Sequence, residues 1–192
     1  THGGVHFSGD WIVCYRANLE SRLATRILWH IVKGPYASEE DIYRLAVRQL
    51  WPNHFAVTRT MRVVTTAIRC PLKSLDFITL RVKDAVCDRF REDRGERPNI
   101  ETRNPDVSVH VFLSESECTL YLDTSGSPLW QRGLRKASVD APLKENLAAG
   151  ILNVYRIVSQ ASQIQPAGTS PAATRPPAEG TPGDRDLSDD GE

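Results

Sequence analysis

Residues 107–123 read VSVHVFLSESECTLYLD, and this stretch decides the fold class of the chain. Apolar side chains alternate strictly from Val107 to Leu113, which predicts a β-strand with one buried face. The polar turn SESE separates this strand from a second alternating stretch over 118–123. We therefore predict a β-hairpin, that is, an antiparallel pair of strands past the midpoint of the chain.

The residues before this hairpin predict a strand and a long helix. The stretch 61–68 is rich in Val and Thr, residue types that strands favour. Ser74 can cap a helix whose apolar stripe runs from Leu75 to Phe90, and Gly95 stands where helix C-caps favour glycine. With the preceding helix included, the order α-β-α-β-β predicts an α+β fold with a mixed sheet.

The first fifty residues predict two more strands and two more helices. In order they are a strand over 3–8, a helix opened by Gly9-Asp10, a strand over 26–32 that ends at Gly34-Pro35, and a helix from Ser38 to Pro52. A single strand–helix–strand at the start cannot close a core well. These first residues therefore look like the back half of a larger unit.

The C-terminal part of the chain changes character. A last helix is predicted over 142–152 from its spacing of apolar residues. Residues 160–192 hold five of the 12 prolines, six acidic residues and no aromatic residue. Such a composition buries too little apolar surface to offset chain entropy, so we expect disorder from residue 159 onward.

Charge is distributed unevenly, although the formal net charge is zero. Without residues 160–192 the chain holds 22 basic and 18 acidic residues, and 17 of the basic residues are Arg. The planar guanidinium group suits phosphate, so this bias is compatible with a nucleic-acid partner. A GC-rich genome would produce the same bias, so composition leaves both explanations open.

The sequence also argues against a membrane protein and a metal site. No apolar run reaches the roughly 18 residues needed to cross a bilayer. The four cysteines form no CxxC pair, and the five His residues are scattered, so no zinc site is predicted. Isolated cysteines indicate free thiols and a reducing, cytoplasmic location. Phosphate-binding Gly-rich loops and nucleophile motifs are absent from the chain, so no catalytic residue is predicted.

A first basic cluster covers residues 81–103, with acidic residues interleaved. Its best candidates for contact with RNA phosphates are Lys83, Arg94 and Arg97, because they flank loops where a nucleic-acid backbone can approach. The alternative is a solvated helix face with pairs among Arg81, Asp84 and Asp88.

A second basic cluster follows the hairpin. It consists of Arg132, Arg135 and Lys136, with Trp130 beside it. An aromatic ring next to cations can stack a base while the cations hold phosphates. Packing of Trp130 into the core is the alternative.

Seven short motifs occur in a fixed order over residues 3–152. They are GGVHF at 3–7, SRLATRIL at 21–28, VKDAV at 82–86, RPN at 97–99, LDTSG at 122–126, RGLR at 132–135 and APLKENLAA at 141–149. In this order they resemble the N-terminal region of bacterial large-subunit (23S) ribosomal RNA guanine-N2 methyltransferases, which carries a THUMP domain.

This resemblance implies an RNA-binding arm built from a ferredoxin-like unit and a THUMP domain. The family then continues into a Rossmann-like domain that uses S-adenosylmethionine to methylate the exocyclic amine of a guanine. The implied domains are a partial ferredoxin-like unit (1–35), the THUMP domain (36–124), a connector and helix leading toward the methyltransferase domain (125–158) and the disordered tail (159–192).

The chain departs from the family after Leu152. The family has a Gly-rich cofactor loop there and later an Asn-Pro-Pro-Tyr-type motif, whereas here Asn153 to Arg156 lead into the Pro-rich tail. We therefore expect a fragment that binds structured RNA, specifically 23S ribosomal RNA, and has no site for S-adenosylmethionine and no catalytic residue. The alternatives are a subunit acting with a separately encoded catalytic chain and a non-functional gene remnant. The oligomeric state stays open.

Overall fold

Four helices, four strands and one 3-10 turn make up the described part of the chain. The computed structural model describes residues 4–131 and 143–163. The helices are α1 (Trp11–Glu20), α2 (Glu39–Val47), α3 (Leu75–Arg94) and α4 (Glu145–Gln163), and the turn is Trp51–Asn53. The strands are β1 (Leu28–Pro35), β2 (Met61–Ala67), β3 (Val107–Leu113) and β4 (Glu117–Asp123).

The four strands form one mixed sheet in the order β1-β4-β3-β2. The predicted hairpin is present, since β3 and β4 are antiparallel. β1 pairs antiparallel with β4, and β2 pairs parallel with β3. The expected α+β class with a mixed sheet is confirmed.

One face of the sheet forms the core together with α2 and α3. Val109, Val111 and Leu113 on β3 point to this face, and Leu122, Leu120 and Cys118 stand opposite them on β4. The largest fully buried side chains of the helices and connections are Ile42, Trp51, Ile78, Val82, Val86 and Phe90. Helices α2 and α3 therefore cover one side of the sheet.

Local capping explains why α2 and α3 begin and end where they do. The Ser38 side chain accepts a hydrogen bond from the Asp41 N–H, and the Asp41 carboxylate accepts one from the Ser38 N–H, which forms a capping box. Ser74 caps α3 by accepting from the Phe77 N–H. Gly95 ends α3 with φ of 74°, a left-handed conformation that favours glycine.

α1 packs against the start of β1 and the end of β4. The rings of Trp11 and Trp29 meet edge to face with centroids 4.6 Å apart. The Asn18 amide donates to Thr124 Oγ1 at 3.0 Å and accepts from Ser125 Oγ at 2.9 Å. These contacts fix the loop that follows β4, although no residue of α1 is itself buried.

The strand expected over 3–8 is wrong for the described residues 4–8. Residues 4–10 have no regular structure, and the side chains of Val5 and Phe7 are 89% and 53% exposed. An alternating stretch becomes a strand only beside a partner, and no described strand pairs with it. α1 then begins as expected, with Asp10 capping the helix by accepting from the Val13 N–H.

β1 runs further than expected, through Gly34 and Pro35 rather than ending before them. This extension is compatible with proline because β1 lies at the edge of the sheet, where a missing N–H costs no ladder hydrogen bond. A Cβ atom at Gly34 would stand 2.9 Å from the Leu45 Cδ1 atom, so an alanine there would require the end of this leucine side chain to shift.

The last helix is also longer than the predicted 142–152. α4 extends to Gln163, so disorder from residue 159 is wrong for residues 159–163. Apolar residues continue through Val158, and the next proline comes only at Pro166. The chain divides into two compact units, residues 1–154 and 155–192. The rest of the expected tail, residues 164–192, lies outside the described residues.

Candidate nucleic-acid interface

One end of the sheet collects basic side chains from several elements. The parallel strands β2 and β3 begin at this end, so β4 ends there and β1 begins there. α3 also ends there, because the loop 95–106 joins it to β3. We call this end the basic edge, and its six arginines are Arg26, Arg59, Arg62, Arg94, Arg97 and Arg103.

A polar cleft of about 490 Å³ opens at the basic edge. Three of the six arginines, Arg26, Arg62 and Arg103, line it. The remaining wall comes mainly from the loop after β4, residues 124–128, and the loop before β3, residues 104–106. This cleft therefore combines cations with hydroxyl and backbone groups.

A buried ion pair holds one wall of the cleft. The Asp123 side chain is 1% exposed and the Arg26 side chain 21% exposed, and the two form a salt bridge. Arg26 also donates to the backbone oxygen of Gly126 at 2.7 Å. Arg26 is therefore a positioning residue for the loop that follows β4, with only part of its guanidinium group facing solvent.

The surroundings of Asp123 keep its carboxylate charged. Burial raises the pKa of this carboxyl, but His110, the Ser125 N–H and the Arg26 charge lower it by more, so the pKa lies below its usual range. The Ser125 N–H donates to Asp123 at 2.8 Å. The Nε2 atom of His110 lies 3.6 Å from Asp123 Oδ2, which is too long for a full hydrogen bond but favours the carboxylate electrostatically.

Arg62 is held in place and still has donors to spare. Its Nε donates to Ser108 Oγ at 3.0 Å and its Nη1 donates to the Thr102 backbone oxygen at 3.2 Å. A guanidinium group has five N–H donors, so these two bonds leave others for a ligand. The side chain is thus oriented toward the cleft before any ligand arrives.

The loop that carries Arg103 is tied to the start of β2. Asp106 accepts hydrogen bonds from both the N–H and the hydroxyl of Thr60, each at 2.9 Å. These donors hold the pKa of Asp106 below its usual range. Arg103 itself is exposed, and the described residues offer its guanidinium group no ion pair. It is the cation of the cleft with the most unshared donors.

The structure separates the candidates of the first basic cluster. Arg94 and Arg97 are exposed at the end of α3 and just after it, and no described residue forms an ion pair with either. Lys83 lies mid-helix with its side chain 27% exposed, and its Nζ is 2.8 Å from Asp84. Three turns of helix, about 16 Å along the axis, separate Lys83 from Arg94. Lys83 therefore does not join the basic edge.

The middle of α3 matches the alternative of a solvated helix face, with partners that differ from the expected ones. Arg89 bridges Glu92 at 3.3 Å and Asp93 at 3.0 Å. Arg91 bridges Asp88 at 3.2 Å, while Arg81 pairs with Glu40 of α2 instead of with Asp84 or Asp88. Most arginines of this helix face therefore form ion pairs with neighbouring side chains.

The second basic cluster, Arg132, Arg135 and Lys136, lies outside the described residues. Its neighbour Trp130 is partly buried, and the Lys144 Nζ lies 5.8 Å from its ring centroid. This cation–π contact is compatible with either interpretation of Trp130, so both stay open.

Sequence reasoning missed Arg26 and Arg62. The one signal for Arg62 was its position, since a charged residue within the Val- and Thr-rich strand must point away from the core face. Arg103 stood inside the first basic cluster without being selected. Nothing in the sequence indicated that the start of β1, the start of β2 and the end of β4 share one end of the sheet.

The described residues can also be searched for groups that could bind a metal ion and for helices that could cross a membrane. Across residues 4–131 and 143–163, no group of three His, Cys, Asp or Glu side chains is placed to hold a metal ion. Among the described helices none is long and apolar enough to cross a membrane.

Comparison with known protein families assigns the chain to a class. Residues 36–123 match the model of the THUMP domain. Residues 36–123 therefore carry a THUMP domain, which includes β2, β3, β4 and helices α2 and α3, whereas β1 precedes the matched range. Residues 1–28 match the model of the RlmL ferredoxin-like domain, so the two domains expected from the sequence motifs are both present.

The relatives name the family more closely. The chain is 42% identical over 151 residues to ribosomal RNA large subunit methyltransferase K/L from Desulfotalea psychrophila, a match that covers 78% of this chain and 21% of that protein. The same protein from Cellvibrio japonicus is 42% identical over 153 residues, covering 79% and 20%. The homologues of this chain are thus the K/L methyltransferases, and the chain spans about a fifth of their length.

Solved structures show the same fold at lower identity. A predicted N6-adenine-specific DNA methylase from Listeria monocytogenes superposes with a TM-score of 0.67 at 24% identity, over 76% of this chain and 38% of that one. TrmN from Thermus thermophilus superposes with a TM-score of 0.56 at 22% identity, over 79% and 42%. These two structures support the fold alone.

Proposed function

We propose that this chain is the RNA-binding module of a ribosomal RNA methyltransferase. Its role is to hold structured 23S ribosomal RNA for S-adenosylmethionine-dependent methylation of a guanine by a domain that these 192 residues do not contain. The observation that carries the proposal is the basic edge, where Arg62, Arg94, Arg97 and Arg103 keep guanidinium donors that no described carboxylate occupies. The K/L homologues supply the substrate class.

The chemistry of the basic edge suits phosphates. Guanidinium groups bind phosphate oxygens in a planar, two-point geometry. Of the hydroxyl groups that line the cleft, Ser108 Oγ accepts from Arg62 and keeps its proton for a phosphate oxygen, whereas Thr124 and Ser125 already donate to Ile27 and Asn18. Contacts of this kind fix the position of an RNA without reading its sequence, so base selection is left to other parts of the enzyme.

The proposal also assigns no cofactor to this chain. The 192 residues contain no Gly-rich loop that could take S-adenosylmethionine. We expect calorimetric titration of the chain with S-adenosylmethionine to show no saturable binding at micromolar concentration, and saturable binding would contradict this part of the proposal. The role belongs in the cytoplasm, where ribosomal RNA is available.

The test is a salt series on a variant of the basic edge. Arg94, Arg97 and Arg103 are replaced together by Ala, because all three are exposed and none forms an ion pair with a described residue. Fluorescence anisotropy then measures the affinity for a labelled hairpin taken from 23S ribosomal RNA. We expect at least about tenfold weaker binding and a slope of log K against log salt that is shallower by roughly 2, because each lost phosphate contact removes about 0.7–0.9.

A matched control removes the same charge elsewhere. Arg44 in α2, Arg48 just after it and Lys73 after β2 are also exposed, and none of them belongs to the basic edge, although Arg44 bridges Glu40 at 3.5 Å. Their triple Ala variant should lose affinity only through net charge and keep a salt slope close to that of the parent. Equal slopes for the two triple variants would contradict the proposal, because binding would then depend on total charge rather than on the basic edge.

A further inference from the structure

The face of the sheet opposite α2 and α3 carries aromatic side chains. One row of side chains runs across the four strands. It contains, in order from β2 to β1, Val64, His110, Tyr121 and His30, each paired with the next. Phe112 occupies the next row on β3. Helices α2 and α3 pack on the other face, and α1 meets the sheet at Trp29, which pairs with Leu122 on that same other face. We call this surface the open face.

The rings of Tyr121 and His30 form a fixed pair on the open face. Their centroids are 5.7 Å apart and their planes meet at 76°, an edge-to-face geometry. His30 is exposed and Tyr121 is partly exposed, as are Val64 and Phe112 beside them. An aromatic pair that is held in place and reached by solvent gives a planar ligand a surface to stack on without a cost of reorganisation.

The open face continues directly into the cleft of the basic edge. The row that precedes Val64 and His110 contains Arg62 and Ser108, which line the cleft. Two residues along a strand correspond to about 7 Å, so the ring row and the arginine row lie side by side. A ligand that stacks on Tyr121 therefore has cationic donors within reach of its adjoining phosphate.

We propose that the open face binds unpaired nucleotides of the RNA, with bases stacked at Tyr121 and His30 and the adjoining phosphates at Arg62 and Arg103. The inference rests on the proposed function and gives it a substrate class, a single-stranded segment. The occupant is RNA for two reasons. The arginines beside the rings complement phosphate, and a base of any kind can stack on an aromatic side chain. Paired bases in a duplex do not offer their faces, so a duplex gains only the phosphate contacts.

The test compares single-stranded oligoadenylate with a blunt RNA duplex of the same length, using the full chain. Tyr121→Ala should weaken binding of the single strand about tenfold while leaving duplex binding and the salt slope unchanged, because stacking releases no counterions. Tyr121→Phe keeps the ring and should bind like the parent. Single-strand affinity of Tyr121→Ala equal to that of the parent would overturn the inference.

A second variant guards against a folding defect at the partly buried Tyr121. His30→Ala removes an exposed ring and should also weaken the single strand selectively, whereas Ser116→Ala, an exposed position in the turn between β3 and β4, should change nothing. Unchanged binding by His30→Ala, or equal losses for duplex and single strand, would count against stacking. The arginine variants decide the proposed function separately, since they act through the salt slope and the ring variants do not.

Discussion

Three arginines in the middle of α3 and three of the six at the basic edge differ in whether a carboxylate pairs with them. On α3, Arg81, Arg89 and Arg91 each form an ion pair with a carboxylate of α3 itself or of the neighbouring helix α2. At the basic edge, Arg94, Arg97 and Arg103 meet none among the described residues. A cluster of basic residues in a sequence therefore indicates charge, but only the positions of the acids show which guanidinium groups are available to phosphate.

The same comparison holds for ion pairs. Lys83 and Asp84 form a pair on the helix surface, with side chains 27% and 48% exposed. Arg26 and Asp123 form a pair whose carboxylate is 1% exposed. Exposed pairs contribute little because water screens them, whereas removal of one member of a buried pair leaves an uncompensated charge. The two pairs should thus respond very differently to substitution.

The largest expected effect is on the buried pair. Asp123→Ala should lower the free energy of unfolding by about 3–5 kcal/mol, because it leaves the Arg26 charge unpaired and the Ser125 N–H without its acceptor. Asp84→Ala is the matched control and should change it by about 0.5 kcal/mol or less. Urea denaturation followed by circular dichroism measures both. A loss for Asp123→Ala no larger than that of the control would show that the pair does not support the basic edge.

The pH dependence of the free energy of unfolding tests whether Asp123 is charged in the folded protein. Because the folded pKa of Asp123 lies below its unfolded value, its contribution is present above the unfolded pKa and is lost as the pH falls through the folded pKa. Asp123→Asn cannot titrate there, so its stability should fall less steeply with acid than that of the parent. Parallel acid limbs for the two proteins, measured by urea denaturation from pH 6 downward at about one-unit steps, would contradict the lowered pKa.

A smaller effect is expected for the second basic cluster. Arg132→Ala combined with Arg135→Ala should weaken binding to different structured RNAs about equally, with a salt slope shallower by roughly 1.5. Anisotropy with two unrelated RNA hairpins measures this. If the double variant binds like the parent across the salt series, these residues are a solvated surface and the basic edge carries binding without them.

The smallest effect is expected in the middle of α3. Arg89→Ala removes two helix-surface ion pairs and should change the free energy of unfolding by less than about 1 kcal/mol. It should leave the salt slope of RNA binding unchanged, since Glu92 and Asp93 already occupy its guanidinium group. If the salt slope of Arg89→Ala were as shallow as that of an Arg97→Ala variant, Arg89 would contact RNA as much as Arg97 does. The helix face and the basic edge would then not differ in RNA binding.

Much of the fold could be predicted because its signals are local. Ser74 and Gly95 delimit α3 through hydrogen bonds and a backbone conformation that involve only residues nearby in the chain. The expected strand over 3–8 failed for the opposite reason. Alternation is local, but a strand also needs a partner, and partners depend on the rest of the sheet.

The site could be predicted only in part for the same physical reason. The exposure of Arg94 and Arg97 could be predicted because a helix end exposes side chains whatever surrounds it. Arg26 and Arg62 were missed because their roles depend on Asp123 and Ser108, 97 and 46 positions away in the chain. The Arg62–Ser108 contact follows from the parallel pairing of β2 with β3, and the Arg26–Asp123 contact from the antiparallel pairing of β1 with β4. Alternation in the sequence reveals neither pairing.

The strand order has a consequence for synthesis on the ribosome. Among the described strands β1 pairs only with β4. About 80 residues must therefore leave the ribosome after Pro35 before this partner exists, roughly 4–16 s at about 5–20 residues per second. Throughout that interval the apolar segment Leu28 to Val32 has an unpaired backbone. Nascent chains of this protein therefore present a ready docking site to chaperones that recognise extended apolar peptides, until Asp123 emerges and the sheet closes.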